Sequence, residues 1–371
     1  MSTRPRISHM AVALTIASIV SLMNGTQVAA AAPIRATTFK AVAVKTGLQG
    51  PSAFTFAPGG TIWYLERGTG ELRIINPSTG ADRLVFDIAG VNGDGERGAL
   101  GVALHPAWPA KPYAYVYVTR MRDGHLQNQL VRITVNNGIG KGLRILLATP
   151  ASASPYHNGG HIDFGPDGKL YVMIGDGHNS ANAQDRSGNL RGKVLRLDTD
   201  GTAASGNPYG RIWSFGHRNS FGFAFDPRTG RLWETENGPA CTDEINLIVK
   251  GGNFAWGPNQ TCSLPKPGGT NNSGPSPRRL PKAYFASPIG ITGAAFCDHC
   301  GLGSGVDGDL LFGDVNTGSI RAVNMNATRT GFANTPRILL AAPTSVHSVQ
   351  VAPNDRIYFS SSTGIYRIVA V

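Results

Sequence analysis

Apart from one run near its start, this 371-residue chain has no apolar stretch approaching the ~20 residues a membrane-spanning helix needs. Amphipathic helices are missing too, because apolar residues at a 3.6-residue period hardly persist beyond two turns anywhere. No linker-like stretch divides residues 40–371, so nothing points to a second domain. Acidic residues are scarce, 23 Asp and Glu against 34 Lys and Arg, yet the basic ones are scattered singly. Without a basic cluster, nucleic acid is an unsuitable partner.

The exception is the beginning. Arg4 and Arg6 precede an apolar run from Met10 to Met23, broken only by Thr15, Ser18 and Ser21, and Val28-Ala29-Ala30-Ala31-Ala32 follows. A charged start, an apolar middle and a small-residue end predict a secretory leader over 1–32, leaving 33–371 as a single domain. A secreted or periplasmic protein with no membrane span after cleavage is expected. Without the leader the basic count falls from 34 to 32 against 23 acidic residues, a net +9. That excess suits an anionic cofactor, an acidic polysaccharide or a cell surface.

Cysteine is rare: Cys241, Cys262, Cys297 and Cys300. In an oxidising compartment an even number predicts disulfides, and proximity favours Cys241–Cys262 and Cys297–Cys300. A zinc site is the rival, although its first pair would be spaced too widely. Cys297-Asp298-His299-Cys300 has the spacing of a redox motif, but no βαβ pattern surrounds it.

Glycine is abundant, at 48 residues, and one phrase recurs around it. An apolar pair enters a Pro/Gly/Asp turn and an alternating strand leaves it. Copies occur at Phe56–Tyr64, Leu104–Val118 (loosely), Phe164–Val172, Phe225–Trp233, Val306–Phe312 and Val351–Phe359. Each predicts a β-hairpin. Further strands, such as Leu72–Ile75, Gln129–Val135, Lys193–Leu197 and Ser319–Val323, lie between them. Six such phrases predict an all-β, six-bladed propeller of four-stranded blades, with tandem β-sandwiches as the alternative.

Candidate chemistry concentrates between His157 and Trp256. His157-Asn158-Gly159-Gly160-His161, Ile174-Gly175-Asp176-Gly177, Gly216-His217-Arg218-Asn219 and Glu236-Asn237-Gly238-Pro239 place imidazole, guanidinium and carboxylate groups at the ends of short apolar runs. Loops on a rigid β scaffold would present them together. Asp243 and Glu244 are adjacent in an expected strand, so their side chains face opposite ways, and they read as braces for the Gly238-Pro239 loop.

Over this stretch the sequence resembles the glucose/sorbosone dehydrogenase family, soluble sugar dehydrogenases that use pyrroloquinoline quinone. Gly93-Asp94-Gly95-Glu96-Arg97-Gly98-Ala99-Leu100-Gly101 is similar to that family's first cofactor loop. The resemblance implies a six-bladed propeller that oxidises an aldose at its anomeric hydroxyl and passes electrons to an unidentified acceptor. It implies that His157 is the general base, that Asp176 orients it, and that Arg218 faces the quinone oxygen with Asn219 beside it. Glu96 falls where the family commonly has Gln against the cofactor. Gly238 and Pro239 would offer backbone carbonyls to Ca²⁺. His161 stands where a basic or small residue is common, as a substrate-side or supporting group.

The resemblance breaks in the later blades. A Lys and two Arg that hold the quinone's carboxylates correspond here to Asn316, Ser345 and His347. Such charge-assisted bonds contribute ~1.5–3 kcal/mol each, so Arg321, His347 or another cation would have to substitute. A second expectation therefore stands beside the first: a quinone-free propeller that keeps the Ca²⁺ loop and binds carbohydrate or a surface.

Overall fold

The computed structural model describes residues 26–28, 39–258 and 274–371. Two strands, β1 (Thr26–Val28) and β2 (Phe39–Thr46), precede the first complete hairpin. Blade one is β3–β6 (Pro51–Phe56, Ile62–Glu66, Glu71–Ile75, Asp82–Asp87), and blade two is β7–β10 (Ala99–Leu104, Tyr113–Arg122, His125–Asn136, Ile139–Pro150). Blade three is β11–β14 (Gly159–Phe164, Leu170–Ile174, Lys193–Leu197, Ile212–Phe215), with the short helix α1 (Ala181–Gln184) inserted before its third strand. Blade four is β15–β18 (Ser220–Phe225, Leu232–Glu236, Asp243–Ile248, Ala283–Phe285), and blade five is β19–β22 (Ile291–Phe296, Leu310–Asp314, Ser319–Val323, Arg337–Ala341). Blade six is β23–β25 (Val346–Val351, Ile357–Ser361, Gly364–Ala370), and β2 completes it as the outermost strand.

The ring therefore closes by pairing the first long strand with the last, Phe39 opposite Ala370 and Thr46 opposite Gly364. This closure was not foreseen in the sequence. β1, which lies inside the expected leader, adds to blade four in parallel to β18. Blade four has its four antiparallel strands without it. No helix among the described residues is long and apolar enough to cross a membrane.

Each blade must bury both faces, and the core reflects it. Among the described residues six apolar clusters each join two neighbouring blades: one–two, two–three, three–four, four–five, five–six and six–one. Five of the second strands are accordingly buried throughout, as in Ile62–Glu66 and Leu170–Ile174, while the longer β8 is exposed at its end, Met121–Arg122. The six recurrent turn phrases all connect the first and second strands of a blade, so they crowd together at one end of the ring.

The other end carries a second sixfold feature. In every blade the innermost strand is bulged where it pairs with the second, between Pro51/Ala53, Ala99/Gly101, Gly159/Ile162, Ser220/Gly222, Ile291/Ala294 and Val346/Ser348. A bulge puts two residues opposite one and re-aims a side chain. Inner strands also approach closely here: a Cβ on Gly101 would overlap the Gly160 carbonyl, and one on Gly222 would press on Gly293.

Cys297 and Cys300 form a disulfide with Cα atoms 5.0 Å apart, as proximity predicted, which removes the zinc reading for that pair. Cys241 is not free either, and its expected partner Cys262 lies outside the described residues.

Candidate functional site

At the bulged end the axis opens into a cavity of about 250 Å³. One bulge residue per blade lines it: Ser52, Leu100, His161, Phe221, Thr292 and His347. Loops add the rest, chiefly Arg67, Glu96, Asn237, Gly290 and Val315. These loop residues occupy two kinds of position. Glu96, His157, Arg218 and Gly290 directly precede an innermost strand, while Arg67, Asp176, Asn237 and Val315 directly follow a second strand.

His157 and Asp176 meet beside this cavity. His157 Nδ1 lies 2.7 Å from Asp176 Oδ1, with both side chains buried. The other carboxylate oxygen of Asp176 accepts the indole N–H of Trp256 at 2.7 Å, and the backbone N–H of His178 also donates to Oδ1 at 2.7 Å. The His178 ring stands edge-on to that of His157, centroids 4.8 Å apart. His157 itself has φ +60°, a left-handed conformation that non-glycine residues adopt at a cost of roughly 1 kcal/mol or more. Its carbonyl accepts the Gly177 N–H at 3.1 Å, and a side chain at Gly175 would collide with that carbonyl.

Glu96 ties this pair to the cavity wall. Its Oε2 accepts the backbone N–H of His157 at 2.7 Å and Asn219 Nδ2 at 3.0 Å. Arg67, on the neighbouring loop, donates Nη1 to the carbonyls of Gly93, Gly95 and Arg97 at 3.0, 2.6 and 2.9 Å, and so shapes the Glu96 loop.

Arg218 is fixed from two sides. Its backbone N–H donates to Glu236 Oε1 at 2.7 Å, its Nη1 donates to the Asn237 carbonyl at 2.9 Å, and its guanidinium lies over Trp256 at 5.4 Å. Burial pushes its pKa down, against the pull of Asp176, Glu236 and Glu96. Its Nε is buried with no hydrogen-bond partner, a donor aimed at nothing within the protein. Beneath it, His217 Nδ1 sits 3.1 Å from Glu234 Oε1 and 3.2 Å from Glu236 Oε2. Burial lowers that imidazole, but Glu234 and Glu236 outweigh it and raise it to about 9.

The Gly238-Pro239 loop is braced as expected by Asp243, whose Oδ1 accepts the Gly238 N–H at 3.1 Å. Its Oδ2 takes the N–H groups of Ile289, Gly290 and Ile291 at 2.8, 2.7 and 3.2 Å, which also fixes the cavity wall in blade five. The Pro239 carbonyl accepts the Cys241 N–H at 2.7 Å. A carbonyl oxygen has a second lone pair for a hard cation.

The model of the glucose/sorbosone dehydrogenases matches residues 48–368. The chain belongs to this family. The quinoprotein glucose dehydrogenase B of Acinetobacter calcoaceticus is 36% identical over 247 residues, 57% of this chain and 51% of that protein. The chain thus spans about half the length of that curated relative. An oxidoreductase (glucose dehydrogenase) structure from Thermus thermophilus superposes with TM-score 0.78 at 30% identity, over 89% of this chain and 100% of that one. The quinone-bound aldose sugar dehydrogenase of Streptomyces coelicolor gives 0.76 at 26%, over 91% and 99%.

Within this member of the glucose/sorbosone dehydrogenase family, Glu96, His157, Asp176, Arg218 and Asn219 are joined by short contacts, and Gly238 stands on the loop after Asn237. Of the predicted site residues, only Glu96 faces the enclosed cavity directly. The expected substitute Arg321 is not available to it. Arg321 is buried in blade five, where its Nε donates to Asp314 at 2.9 Å. Ser345 turns its hydroxyl to the Val315 carbonyl at 2.7 Å, and Asn316 donates to the Pro288 carbonyl at 3.1 Å. The sequence reading missed the parts played by Arg67, His178 and Trp256. Arg67 had a usable signal, because Glu66-Arg67-Gly68 ends the second strand of blade one as Gly175-Asp176 and Asn237-Gly238 do in blades three and four.

Proposed function

We propose that the chain is an exported sugar dehydrogenase that oxidises an aldose at its anomeric hydroxyl, using pyrroloquinoline quinone and Ca²⁺. The observation that carries this reading is the buried 2.7 Å contact between His157 Nδ1 and Asp176. With Nδ1–H given to the carboxylate, Nε2 of His157 is the bare nitrogen that accepts the sugar's hydroxyl proton. Asp176 fixes the tautomer and stabilises the imidazolium that results, and Trp256 and His178 hold Asp176 in place.

The quinone, when bound, supplies acceptance of the two electrons that leave the sugar. Arg218, Asn219 and Glu96 would hold it, and the unpartnered Nε of Arg218 suits an acceptor oxygen on which charge grows. The Gly238 and Pro239 carbonyls would hold the Ca²⁺. The family likeness supports sugar oxidation, and the leader-like start supports export.

A second reading rests on the opposite wall, where Arg321 is held by Asp314 and Ser345 and Asn316 turn to backbone carbonyls. It is a quinone-free propeller that binds carbohydrate or a surface and keeps the Ca²⁺ loop. Titrating the purified protein with quinone and Ca²⁺, while following the quinone's absorption and dye reduction with a panel of aldoses, separates the two. Saturable binding with a sugar-dependent rate supports the dehydrogenase. No binding and no rate with any aldose replaces it with the second reading.

A further inference from the structure

Two of the six bulge residues are histidines, and they are the only ionisable groups among the six. His161 is buried, with its ring edge-on to Phe223 at 4.5 Å, and its Nε2 has no hydrogen-bond partner although the residue lines the cavity. His347 stands across the axis on β23, with Nε2 3.2 Å from Ser362 Oγ. Burial holds His161 down at about 4. Burial, and then the charge of Arg67, does the same to His347.

The other groups on the cavity wall can be read blade by blade. Blade one supplies the Arg67 guanidinium, and the loop before β7 supplies the Glu96 carboxylate. Blades four and five supply only uncharged residues there: Phe221, Asn237, Gly290, Thr292 and Val315. The wall thus carries one positive and one negative charge on neighbouring loops, and two imidazoles are poised to tip the balance. Beside the wall, the Arg218 Nε–H also lacks an acceptor. A ligand rich in acceptor oxygens would satisfy these groups.

We propose that the axial cavity takes up a carboxylate-bearing ligand together with protons, His161 and His347 becoming imidazolium as the ligand's carboxylates reach them. The identity of the natural ligand as the quinone, a tricarboxylate, rests on the function proposed above; the proton linkage does not. An adjacent carboxylate favours the charged imidazole and opposes the desolvation that keeps it neutral. The sign follows from the free-state values. Both histidines are neutral at pH 7 and gain protons on binding, so affinity rises as the pH falls from 8 towards 5. The gain ends near 4, where the free protein is already protonated. A neutral polyol would leave both imidazoles as they are and bind without this dependence.

The test is titration calorimetry of the full chain with benzene-1,2,4-tricarboxylate, a redox-inactive probe, in buffers of different ionisation enthalpy. Net proton uptake is expected, with binding tightening several-fold for each unit of falling pH. His161→Arg and His347→Arg each replace a titrating group by a fixed cation. Each should reduce the uptake and tighten binding at pH 8 about tenfold, the worth of one recovered pKa unit. Should His161→Arg fail to fold, His347→Arg, at the more exposed of the two sites, carries the test alone.

Wild-type binding without proton uptake overturns the proposal. So does uptake unchanged in the Arg variants, or binding of glucose but not of the tricarboxylate. Tricarboxylate binding with uptake, but no sugar oxidation with quinone, would leave this inference standing and remove the dehydrogenase reading. Sugar oxidation whose quinone affinity ignores pH would do the reverse.

Discussion

The two walls of the axial cavity are built by the same device and filled in opposite ways. Just behind the cavity, blades three and four bring together His157, Asp176, Trp256 and Arg218, with charges matched and both Asp176 oxygens occupied. Blades five and six present Thr292, Val315 and His347, and there the nearby Arg321 is spent on Asp314. Both walls stand on bulged inner strands and interblade clusters of the same kind, so the scaffold does not explain the difference. Each blade contributes its own loop residues, so the proposed proton-transfer side and the proposed ligand-holding side can differ on one scaffold.

The largest effect should come from the first wall. His157→Ala is expected to lower quinone-dependent sugar oxidation ~10²–10⁴-fold, with the melting temperature and quinone affinity little changed. A variant that oxidises sugar at near wild-type rate would mean that the proton leaves by another route, and the contrast between the walls would lose its meaning.

Next comes the support beneath Arg218. The His217 imidazole, raised to about 9 between Glu234 and Glu236, stabilises the fold fully below its unfolded value of ~6.5, and that contribution is lost as the pH rises through about 9. Denaturant unfolding of wild type and His217→Gln should therefore differ most near pH 6, on the order of 3 kcal/mol, with the gap closing towards pH 9.5. A gap that stays constant with pH would show that His217 acts by packing on Phe254, whose ring stacks on it at 4.7 Å.

The second wall can be repaired. Asn316→Lys should tighten quinone binding by about 1.5–3 kcal/mol, roughly 10- to 100-fold, through one charge-assisted bond. Fluorescence titration reads it, and an unchanged dissociation constant would argue that carboxylates do not lie against blade five. The smallest effect is expected from Trp256→Phe, which keeps the ring under Arg218 but removes the N–H held by Asp176. About a tenfold loss of turnover is expected, as for other groups that orient a catalytic side chain. Steady-state rates equal to wild type would show that His178 alone suffices.

Much of this could be read from the chain. The six turns were visible because Pro, Gly and Asp act locally, within four or five residues, and each turn fixes a hairpin. His157, Asp176 and Arg218 stood out because they interrupt apolar runs where a strand ends. The bulges, the closure by Phe39–Thr46 and the hold of Asp314 on Arg321 were not visible. Each depends on which residues face one another across a sheet, and pairing such as that between residues 39 and 370 leaves no mark in either segment alone. Arg67 falls between the two cases. It sits at a repeat-equivalent position, but it only acquires a role from three carbonyls some thirty residues away.

The seam between β2 and β25 has a consequence for how the molecule is made. A chain that emerges from its N-terminus has five blades' worth of strands before the partner of its first long strand exists. Until Gly364–Ala370 arrives, β2 has no neighbour in the ring and the last blade has an open edge, the kind of edge that invites pairing with another chain. Final closure spans over three hundred residues, a slow and cooperative step. The finished ring is therefore an all-or-nothing object. A shortened chain would not be a five-bladed version of this protein but an unclosed one, and its quality control can rest on the fate of a single strand.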